Sequence, residues 1–457
     1  MSLEVIILAA GQGTRMRSAL PKVLHQMGGK SMLHHVIKTA MQLDPRGIHV
    51  VTGYGSEQVR EHISGLADID SDKINWCFQA EQNGTGHAVA QAIPAVDTES
   101  NCLILFGDVP LVDEDSLRNL CNSKACLAVL TATPERTDGL GRILRDQTGA
   151  ISGIVEQKDA TSQQLNIGEI NTGIMRCPAA PLGHWLKNLS NDNNQGEYYL
   201  TDIVASAVAD GKSVHGEIAG DPDLFLGVNS RMDLATVERK FQQLQAQRLM
   251  NNGVTLCDPA RIDIRGEVTF GIDCSIDVNV VLEGNVIVGN NVSIEPNCLI
   301  RNATIGDHCE IRANSVIDDA TIGKNCMIGP FARLRPDTKL ADHVHIGNFV
   351  EIKKSEIGEH SKSNHLAYVG DSIVGRNVNI GAGVITCNYD GANKHQTVIG
   401  DDVFVGSDSQ LVAPVSIASG ATIGAGATIT RDVEENTLAI TRSPQKIIAD
   451  WKRPKKR

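Results

Sequence analysis

An aliphatic residue recurs at every sixth position through most of the C-terminal half of this 457-residue chain. A period of six fits neither a helix nor an ordinary strand, but it is typical of a parallel β-helix in which three hexads make one triangular turn. We therefore predict a solenoid from residue 276 to 434, with about eight or nine turns of about eighteen residues. The repeat positions are Ile276, Leu282, Val288, Ile294, Ile300, Ile305, Ile311, Ile317, Ile322, Ile328, Leu334, Leu340, Ile346 and Ile352, and then Ile399, Val405, Leu411, Ile417, Ile423 and Ile429.

The six-residue repeat is irregular in two places. The hexads lose their regularity between residues 357 and 374, and an insertion between 380 and 399 carries the polar segment 387–394. A solenoid is a rigid scaffold that accepts insertions on one face, often the face that binds a ligand. We therefore expect both segments to contribute to a functional site.

The amino-acid composition agrees with a narrow solenoid interior. Aromatic residues make up only 4% of the chain, which suits an interior filled with Ile, Val and Leu. Eleven cysteines occur without a C-x-x-C pair, and Cys298, Cys309 and Cys326 each follow a repeat position by four places. We predict reduced thiols that serve as compact packing groups rather than a disulfide framework.

Charge and hydropathy limit the possible partners. A net charge of −12 argues against binding to nucleic acid or anionic lipid, apart from a basic tail at residues 452–457. The apolar run at residues 5–10 is far too short for a signal sequence or a membrane span. We expect a cytoplasmic protein with neither a nucleic-acid nor a membrane partner.

The N-terminal half has a different pattern. Short apolar strands at 5–8, 49–51, 102–106 and 128–131 alternate with helix-like stretches, which is typical of βαβ units and a parallel sheet. Residues 230–250 then read as one amphipathic helix. The predicted fold is therefore α/β, with a Rossmann-like domain at 1–229, a linker helix at 230–250 and the repeat domain at 251–457.

A glycine-rich turn follows the first strand. Backbone N–H groups around Gly11 and Gly13 can hold phosphate oxygens, but Met16 stands where a dinucleotide fingerprint needs a third glycine, so we favour a mononucleotide site over a redox Rossmann domain. Arg15 and Lys22 add cations that suit a departing phosphate group. Asp108 ends a buried strand, where α/β sheets place ligands and Mg²⁺.

These motifs mark a family. The N-terminal half is similar to the sugar-phosphate uridylyltransferases, through segments 8–16, 21–22, 79–87, 107–108, 169–173 and 227–229. With residues 365–368 and 388–394 of the repeat domain, the whole chain resembles a family of bacterial bifunctional enzymes. These enzymes combine N-acetylglucosamine-1-phosphate uridylyltransferase with glucosamine-1-phosphate N-acetyltransferase. The resemblance implies that the solenoid is a left-handed β-helix.

The resemblance also implies the residues of the uridylyltransferase site. Asp108 and Asn229 hold Mg²⁺, and Lys22 and Arg15 stabilise the leaving pyrophosphate. Phe106 stands where the family has Tyr, and Leu140 replaces an aromatic residue, so these positions offer no hydroxyl contact. The residues that bind the nucleotide sugar are Leu8, Ala9, Ala10, Gly11, Lys22, Gln79, Gly84, Thr85, Phe106, Gly107, Asp108, Gly141, Glu156, Asn171 and Asn229.

In the repeat domain the resemblance implies that His365 is the general base that removes a proton as the amine attacks acetyl-CoA. Arg335, Lys353, Tyr368 and Asn379 bind the sugar phosphate. Independently of the family, Arg335 and Lys353 are eighteen residues apart, so one turn of the solenoid directs both cations to the same face. The residues along acetyl-CoA are Ala382, Asn388, Tyr389, Ser407, Ala425 and Arg442.

The expected chemistry follows from both sites. Acetyl-CoA acetylates glucosamine 1-phosphate, and the N-acetylglucosamine 1-phosphate formed attacks UTP, which releases pyrophosphate and UDP-N-acetylglucosamine for synthesis of the bacterial cell wall and outer envelope. Mg²⁺ is the expected cofactor. Because the acetyltransferase sites of related β-helices lie between subunits, we expect a homotrimer.

Two alternatives belong to other functional classes. His343, His345, His360 and His365 suggest a zinc-dependent β-helix hydrolase, but that function leaves the Arg335–Lys353 pair and the 388–394 loop without a role. The second alternative is a nucleotidyltransferase with a single activity, whose β-helix serves only oligomerisation or regulation. A scaffold of that kind needs the hexads but not His365, Tyr368 and Asn388.

Overall fold

The computed structural model describes residues 2–454, so Lys455, Lys456 and Arg457 of the basic tail lie outside the described residues. Within this range the chain forms two compact units, which divide in sequence between Phe241 and Gln242. Over the described residues, the helices are all too short or too polar to cross a membrane.

The N-terminal unit contains eleven strands: β1 (Leu3–Ala9), β2 (Gln26–Met27), β3 (Lys30–Ser31), β4 (Gly47–Thr52), β5 (Ile74–Phe78), β6 (Asn101–Phe106), β7 (Leu127–Ala132), β8 (Arg142–Arg145), β9 (Ile151–Val155), β10 (Ile170–Pro178) and β11 (Val214–Ile218). Most of them form a mixed sheet with the order β11-β7-β10-β6-β1-β4-β5, to which the β8–β9 hairpin is attached beside β10. The strands β2 and β3 form a separate small hairpin.

The prediction of a wholly parallel sheet is wrong for one central strand. β10 is antiparallel to both of its neighbours, β6 and β7, whereas β1 is parallel to β4 and β6. Hydrophobic periodicity identifies a buried strand but carries no information about its direction. The four strands predicted from the sequence are all present, and they correspond to β1, β4, β6 and β7.

Helices cover both faces of this sheet. Along β1 the side chains alternate, with Val5 and Ile7 in one apolar cluster and Ile6 and Leu8 in another. Burial on both faces explains why these strands read as continuous apolar runs. The helices that pack on the sheet are α1 (Met32–Gln42), α2 (Ser56–Ser64), α3 (Thr85–Ala92), α4 (Glu114–Asn122), α5 (Ala179–Lys187) and α6 (Asp202–Ala209). A longer helix, α7 (Arg231–Asn251), follows them in the chain.

The C-terminal unit is a left-handed parallel β-helix, as predicted. One face is an eleven-stranded parallel sheet, and a second sheet of seventeen strands forms the rest of the solenoid wall. The first comprises Thr255–Leu256, Ser275–Ile276, Ser293–Ile294, Glu310–Ile311, Met327–Ile328, His345–Asn348, Lys362–His365, Asn379–Ile380, Phe404–Val405, Thr422–Ile423 and Leu438–Ala439. The second comprises Ile262–Phe270, Val280–Val288, Leu299–Arg301, Thr304–Ile305, Val316–Asp318, Ala320–Ile322, Arg333–Leu334, Thr338–Leu340, Glu351–Lys353, Glu356–Ile357, Tyr368–Gly370, Ser372–Val374, Ile385–Cys387, Thr397–Ile399, Gln410–Val412, Val415–Ile417 and Thr428–Ile429.

The interior of the solenoid has the predicted composition. The aliphatic repeat positions are buried and form one continuous cluster, which also contains Cys298, Cys309 and Cys326. All eleven cysteines are free thiols. Residues from the C-terminal part of α7, Ala246 and Leu249, join this cluster, so this end of the helix covers the first coil.

The solenoid is longer than the predicted range of 276–434, and its eleven strands on one face exceed the predicted eight or nine turns. It begins at Thr255, and Ile262–Phe270 pairs with Val280–Val288 along nine residues, with Phe270 opposite Val288. An aromatic ring therefore occupies a repeat position in the first coils, where it is only partly buried. This ring interrupts the aliphatic pattern, and the sequence therefore suggests a later start.

The two predicted irregularities have different outcomes. Between 357 and 374 the coil is regular, because Ile346, Ser363 and Ile380 are aligned in successive strands. The irregularity predicted there is one of side chains only, since a buried serine replaces the aliphatic residue while the strand pairing continues. The insertion is confirmed, because Asn379 pairs with Phe404, which makes this coil seven or eight residues longer than its neighbours.

The close-packed interior leads to a stability prediction. Ile328 is 0% exposed in the continuous cluster, and we expect Ile328→Ala to lower the free energy of unfolding by about 2–5 kcal/mol because it leaves a cavity. Ile287 lies in the same solenoid but is 44% exposed, so Ile287→Ala should change it by less than about 1 kcal/mol. Urea denaturation of both variants measures the difference, and equal losses would contradict the packing described.

Candidate functional site

A cavity of about 360 Å³ opens at the carboxyl ends of β1 and β6. Gly107 lies in sequence between the lining residues Phe106 and Asp108, and its N–H donates to the carbonyl of Leu8 over 2.9 Å. The structure therefore brings together most residues predicted for the nucleotide. Those lining the cavity are Leu8, Ala9, Ala10, Gly11, Lys22, Gln79, Gly84, Thr85, Phe106 and Asp108.

Lys22 lies between the two predicted metal ligands. Its ammonium group donates to Oδ2 of Asp108 and, over 3.2 Å, to Oδ1 of Asn229. Asn229 is held in place because the N–H of Val228 donates to the carbonyl of Asp108 over 2.9 Å. Two oxygen atoms thus converge on one cation, and carboxylate and amide oxygens are the donors that Mg²⁺ prefers. The donor set therefore fits the predicted ion.

Two glycines explain the shape of the nucleotide cavity. Gly13 has φ +65°, and a Cβ there would lie 2.6 Å from Cβ of Lys22. Gly84 has φ +106°, and its Cβ would lie 2.6 Å from the carbonyl oxygen of Tyr198. Both positions combine a left-handed backbone with close packing, which only glycine permits. The glycines thereby allow the loops to pack closely around Lys22 and the cavity.

Gln79 lines this cavity and is buried, and its side-chain amide has a defined orientation. Its Nε2 donates to the carbonyl of Gly84 over 3.3 Å and to Nδ1 of His87 over 3.0 Å. Both amide protons are therefore used within the protein, and the side-chain oxygen is left to accept a hydrogen bond from a ligand.

A second cavity of about 230 Å³ shares Phe106 and Asp108 with the first and is also lined by Asn171 and Asn229. Phe106 and Leu140, the two departures from the family pattern, contribute apolar surface to it. Because the two cavities share lining residues, a ligand with a nucleotide part and a sugar part can extend across both.

Gly141 and Glu156 lie near Asn171. The N–H of Asn171 donates to the carbonyl of Gly141 over 2.9 Å, and a Cβ on Gly141 would lie 3.4 Å from a Glu156 carboxylate oxygen. Thr201 donates to Glu156 over 3.2 Å. Burial raises the pKa of Glu156 above its ordinary value, and the Thr201 hydrogen bond partly opposes that rise.

Arg15 is the second cation predicted to stabilise the leaving pyrophosphate. Its side chain is exposed, and it lines neither cavity.

In the solenoid, the predicted stack of Arg335 and Lys353 is present. Leu334 pairs with Ile352, and the N–H of Arg335 donates to the carbonyl of Ile352 over 2.9 Å, so Arg335 and Lys353 occupy equivalent positions on adjacent coils. Arg335 Nη1 donates to Glu351 Oε1 over 2.7 Å. Lys394, from the inserted loop, lies beside Lys353, and the hydrogen bond and positive charge of Lys353 lower the pKa of Lys394.

Hydrogen bonds hold the inserted loop against the face that carries Arg335 and Lys353. Asn388 Nδ2 donates to the Tyr368 hydroxyl over 3.3 Å and also to the Asp371 carboxylate. Tyr389, in contrast, is 61% exposed, and its hydroxyl donates to the carbonyl of Gly391 over 2.6 Å. The loop therefore adds Asn388 and Lys394 to the face that carries Arg335, Lys353 and Tyr368.

His365 begins a column of predicted acetyl-CoA residues. Asn348 pairs with His365 in the register of neighbouring strands. In the next coils, Ser363 pairs with Ile380, Ile380 with Val405, and Val405 with Ile423. Two residues after these positions stand His365, Ala382, Ser407 and Ala425, which are therefore aligned on successive coils. Arg442 lies at the far end, where its Nη2 would be 3.1 Å from a Cβ on Gly424. Asn379 lies on the same sheet as His365.

The imidazole of His365 is oriented by its neighbour. Nδ1 of His365 and Oδ1 of Asn348 are 2.7 Å apart, so Nδ1 donates to the amide oxygen, and Nε2 takes no part in this hydrogen bond. Sequence reasoning missed Asn348, although its position one coil before His365 could have indicated it. It also missed Thr201 and Glu197, which come from a distant loop and carry no motif of their own.

Comparison with known protein families supports two transferase domains. Residues 5–166 match the MobA-like NTP transferase domain. Residues 264–348 match the GMPPB C-terminal domain, and residues 396–431 match the bacterial transferase hexapeptide repeats.

Curated relatives match the chain along its whole length. Bifunctional protein GlmU of Marinobacter nauticus is 57% identical over 456 residues, which cover 99% of each chain. The proteins of the same name from Pseudomonas putida and Stutzerimonas stutzeri are each 53% identical and cover all of this chain and 99% and 100% of their own. The inositol-1-phosphate CTP transferase of T. maritima superposes on 52% of this chain and 96% of its own, with a TM-score of 0.40 and 16% identity, too low to support an inference.

Proposed function

Because this chain belongs to the family of bifunctional GlmU proteins, we propose that its two units carry two separate active sites, built from the residues described above. The enzyme is a uridylyltransferase and an acetyltransferase. It acetylates glucosamine 1-phosphate with acetyl-CoA and couples the product to UTP. The observation that carries the proposal is the presence of two independent side-chain constellations, one around Lys22 and one around His365.

In the uridylyltransferase unit, the sugar phosphate attacks the α-phosphorus of UTP and pyrophosphate departs. Lys22 stabilises the charge that develops on the leaving group, and the glycine-rich loop supplies N–H groups to the phosphates. Arg15 is exposed and acts only if the loop brings it toward the phosphates. Asp108 and Asn229 would hold Mg²⁺, which neutralises phosphate charge during the transfer.

The orientation of Gln79 supports uracil as the base. Its amide protons are used by Gly84 and His87, so its oxygen accepts a hydrogen bond. Uracil offers an N–H on its pyrimidine edge, whereas cytosine has an acceptor at the same ring position. Glu156 and Asn171 then bind hydroxyl groups of the sugar in the neighbouring cavity.

In the acetyltransferase unit, Arg335 and Lys353 bind the phosphate of glucosamine 1-phosphate, with Tyr368, Asn379 and Asn388 beside it. The amine attacks the thioester carbonyl, and Nε2 of His365 takes the amine proton. The C–S bond then breaks, and the imidazole passes this proton to the departing sulfur, so that CoA leaves as the thiol. The column from Ala382 to Ala425 provides the surface along which acetyl-CoA lies.

A homotrimer completes this second site. Phe331, Phe349 and Leu366 are 47%, 55% and 62% exposed, and the rings of the first two stack with centroids 5.2 Å apart. This apolar stripe includes the residue that follows His365, which supports a neighbouring copy covering it. We assign the enzyme to the cytoplasm, where its eleven free thiols remain reduced. There it supplies UDP-N-acetylglucosamine for cell-wall and outer-envelope synthesis.

Removing metal ions tests the two-site proposal on the unaltered protein. We expect EDTA to reduce pyrophosphate release from UTP and N-acetylglucosamine 1-phosphate at least about 100-fold, because the phosphates lose their neutralising cation. Added Mg²⁺ should restore it. Thiol release from acetyl-CoA with glucosamine 1-phosphate should continue in EDTA. Uridylyl transfer that survives EDTA argues against the Asp108–Asn229 site, and a complete lack of thiol release supports the single-activity alternative.

A further inference from the structure

One corner of the solenoid has a left-handed backbone in successive coils. The corner residues Asn325, His343, His360 and Asn377 have φ between +54° and +61°. The backbone N–H of His343 donates to the carbonyl of Lys324, and that of His360 donates to the carbonyl of Asp342. Each acceptor lies in the preceding coil. Asn tolerates this conformation well and His does so to a lesser degree. Backbone geometry therefore accounts for one histidine at this corner without any chemical role.

The pairing of two histidines requires a further explanation. The rings of His343 and His360 stack, with centroids 4.6 Å apart and 16° between their planes. Glu359 lies beside them, with Oε1 3.4 Å from Nε2 of His360. One nitrogen or oxygen from each of the three side chains lies within 4.8 Å of the other two. Across residues 2–454, no other group of three His, Cys, Asp or Glu side chains is arranged in this way.

The donor set selects a class of ion. Two imidazole nitrogens and one carboxylate oxygen suit Zn²⁺ and similar transition metals, whereas Mg²⁺ and Ca²⁺ prefer oxygen ligands throughout. The histidines stand on adjacent coils of a rigid backbone, so their spacing is fixed before an ion arrives. The side chains of His360 and Glu359 are 54% and 46% exposed, which leaves room for a water molecule as a fourth ligand.

We propose that His343, His360 and Glu359 form a binding site for Zn²⁺ that joins two successive coils of the solenoid. This site differs from the hydrolase alternative, because His345 and His365 do not belong to the cluster. The acetyl-transfer chemistry does not depend on it.

Zinc titration of the full-length protein tests the site. Isothermal titration calorimetry with ZnCl₂, in saturating Mg²⁺ to occupy the Asp108–Asn229 site, should detect one Zn²⁺ per chain that is lost or weakened at least about tenfold in His360→Asn and in His343→Asn. Asparagine occupies the same corner in neighbouring coils at 325 and 377, so both variants should retain the fold. Retained acetyl transfer verifies that they do.

His308→Asn is the matched control. His308 occupies the same left-handed corner, with φ +59°, two coils before His343, but the adjacent coils carry Asn291 and Asn325 there. This variant should bind Zn²⁺ like the unaltered protein, and Glu359→Gln should weaken binding without any change at the corner backbone. If His360→Asn, His343→Asn and Glu359→Gln all bind Zn²⁺ as tightly as His308→Asn, the proposal is wrong.

Discussion

Replacing Lys22 with alanine is expected to lower uridylyl transfer by about 10²- to 10³-fold, the usual effect of removing one charge-stabilising group from an active site. The ammonium group contacts both Asp108 and Asn229, and the side chain is only 12% exposed. Alanine carries no charge, so in the proposed mechanism the departing pyrophosphate loses the stabilisation that the Lys22 ammonium group supplies. Pyrophosphate release from UTP and N-acetylglucosamine 1-phosphate measures the loss.

The matched control for this variant is Lys38→Ala. Lys38 lies in the same unit and interacts with Asp68 at the surface, with 48% of its side chain exposed. We expect this change to leave uridylyl transfer within about twofold of the unaltered protein. An equal loss in both lysine variants would assign the effect to general charge or stability rather than to the active site.

Replacing His365 with alanine is expected to lower acetyl transfer by about 10²- to 10⁴-fold, the range for loss of a general base. In the proposed mechanism Nε2 accepts the amine proton while Asn348 holds Nδ1, and alanine offers no substitute. The turnover number should fall much more than the affinity for acetyl-CoA, because the surface proposed for the cofactor, from Ala382 to Ala425, remains. Thiol release from acetyl-CoA measures both quantities.

His308→Asn serves as the control for this variant, since it alters a histidine of the same solenoid outside the proposed site. It should retain acetyl transfer. If His365→Ala retained more than about a tenth of the activity, another group would have to be the base.

Much of the solenoid follows from the sequence because each of its contacts is to the adjacent coil. The spacing of Arg335 and Lys353 predicts that they follow one another along the solenoid, and the strand register places them at equivalent positions of adjacent coils. The same regularity fails at Phe270 and Ser363, where one unusual residue at a repeat position conceals a regular coil. The backbone pairing between adjacent coils continues through such residues. A regular coil can therefore be present where the side-chain pattern is broken.

The nucleotide site depends on contacts between residues far apart in sequence. Lys22 reaches Asp108 across 86 residues and Asn229 across 207, and no periodicity relates these positions. The resemblance to a known family identifies Lys22, Asp108 and Asn229 as members of one site. The glycine-rich loop alone indicates only a phosphate site. The direction of β10 and the approach of Thr201 to Glu156 depend on how distant segments pack, so neither could be predicted from local patterns.

Both activities measured on both variants test the central claim of two independent sites most directly. Lys22→Ala should lose uridylyl transfer and keep acetyl transfer, and His365→Ala should show the opposite. If each substitution damaged both reactions to the same extent, in proteins that remain folded, the proposal of two independent sites would be wrong.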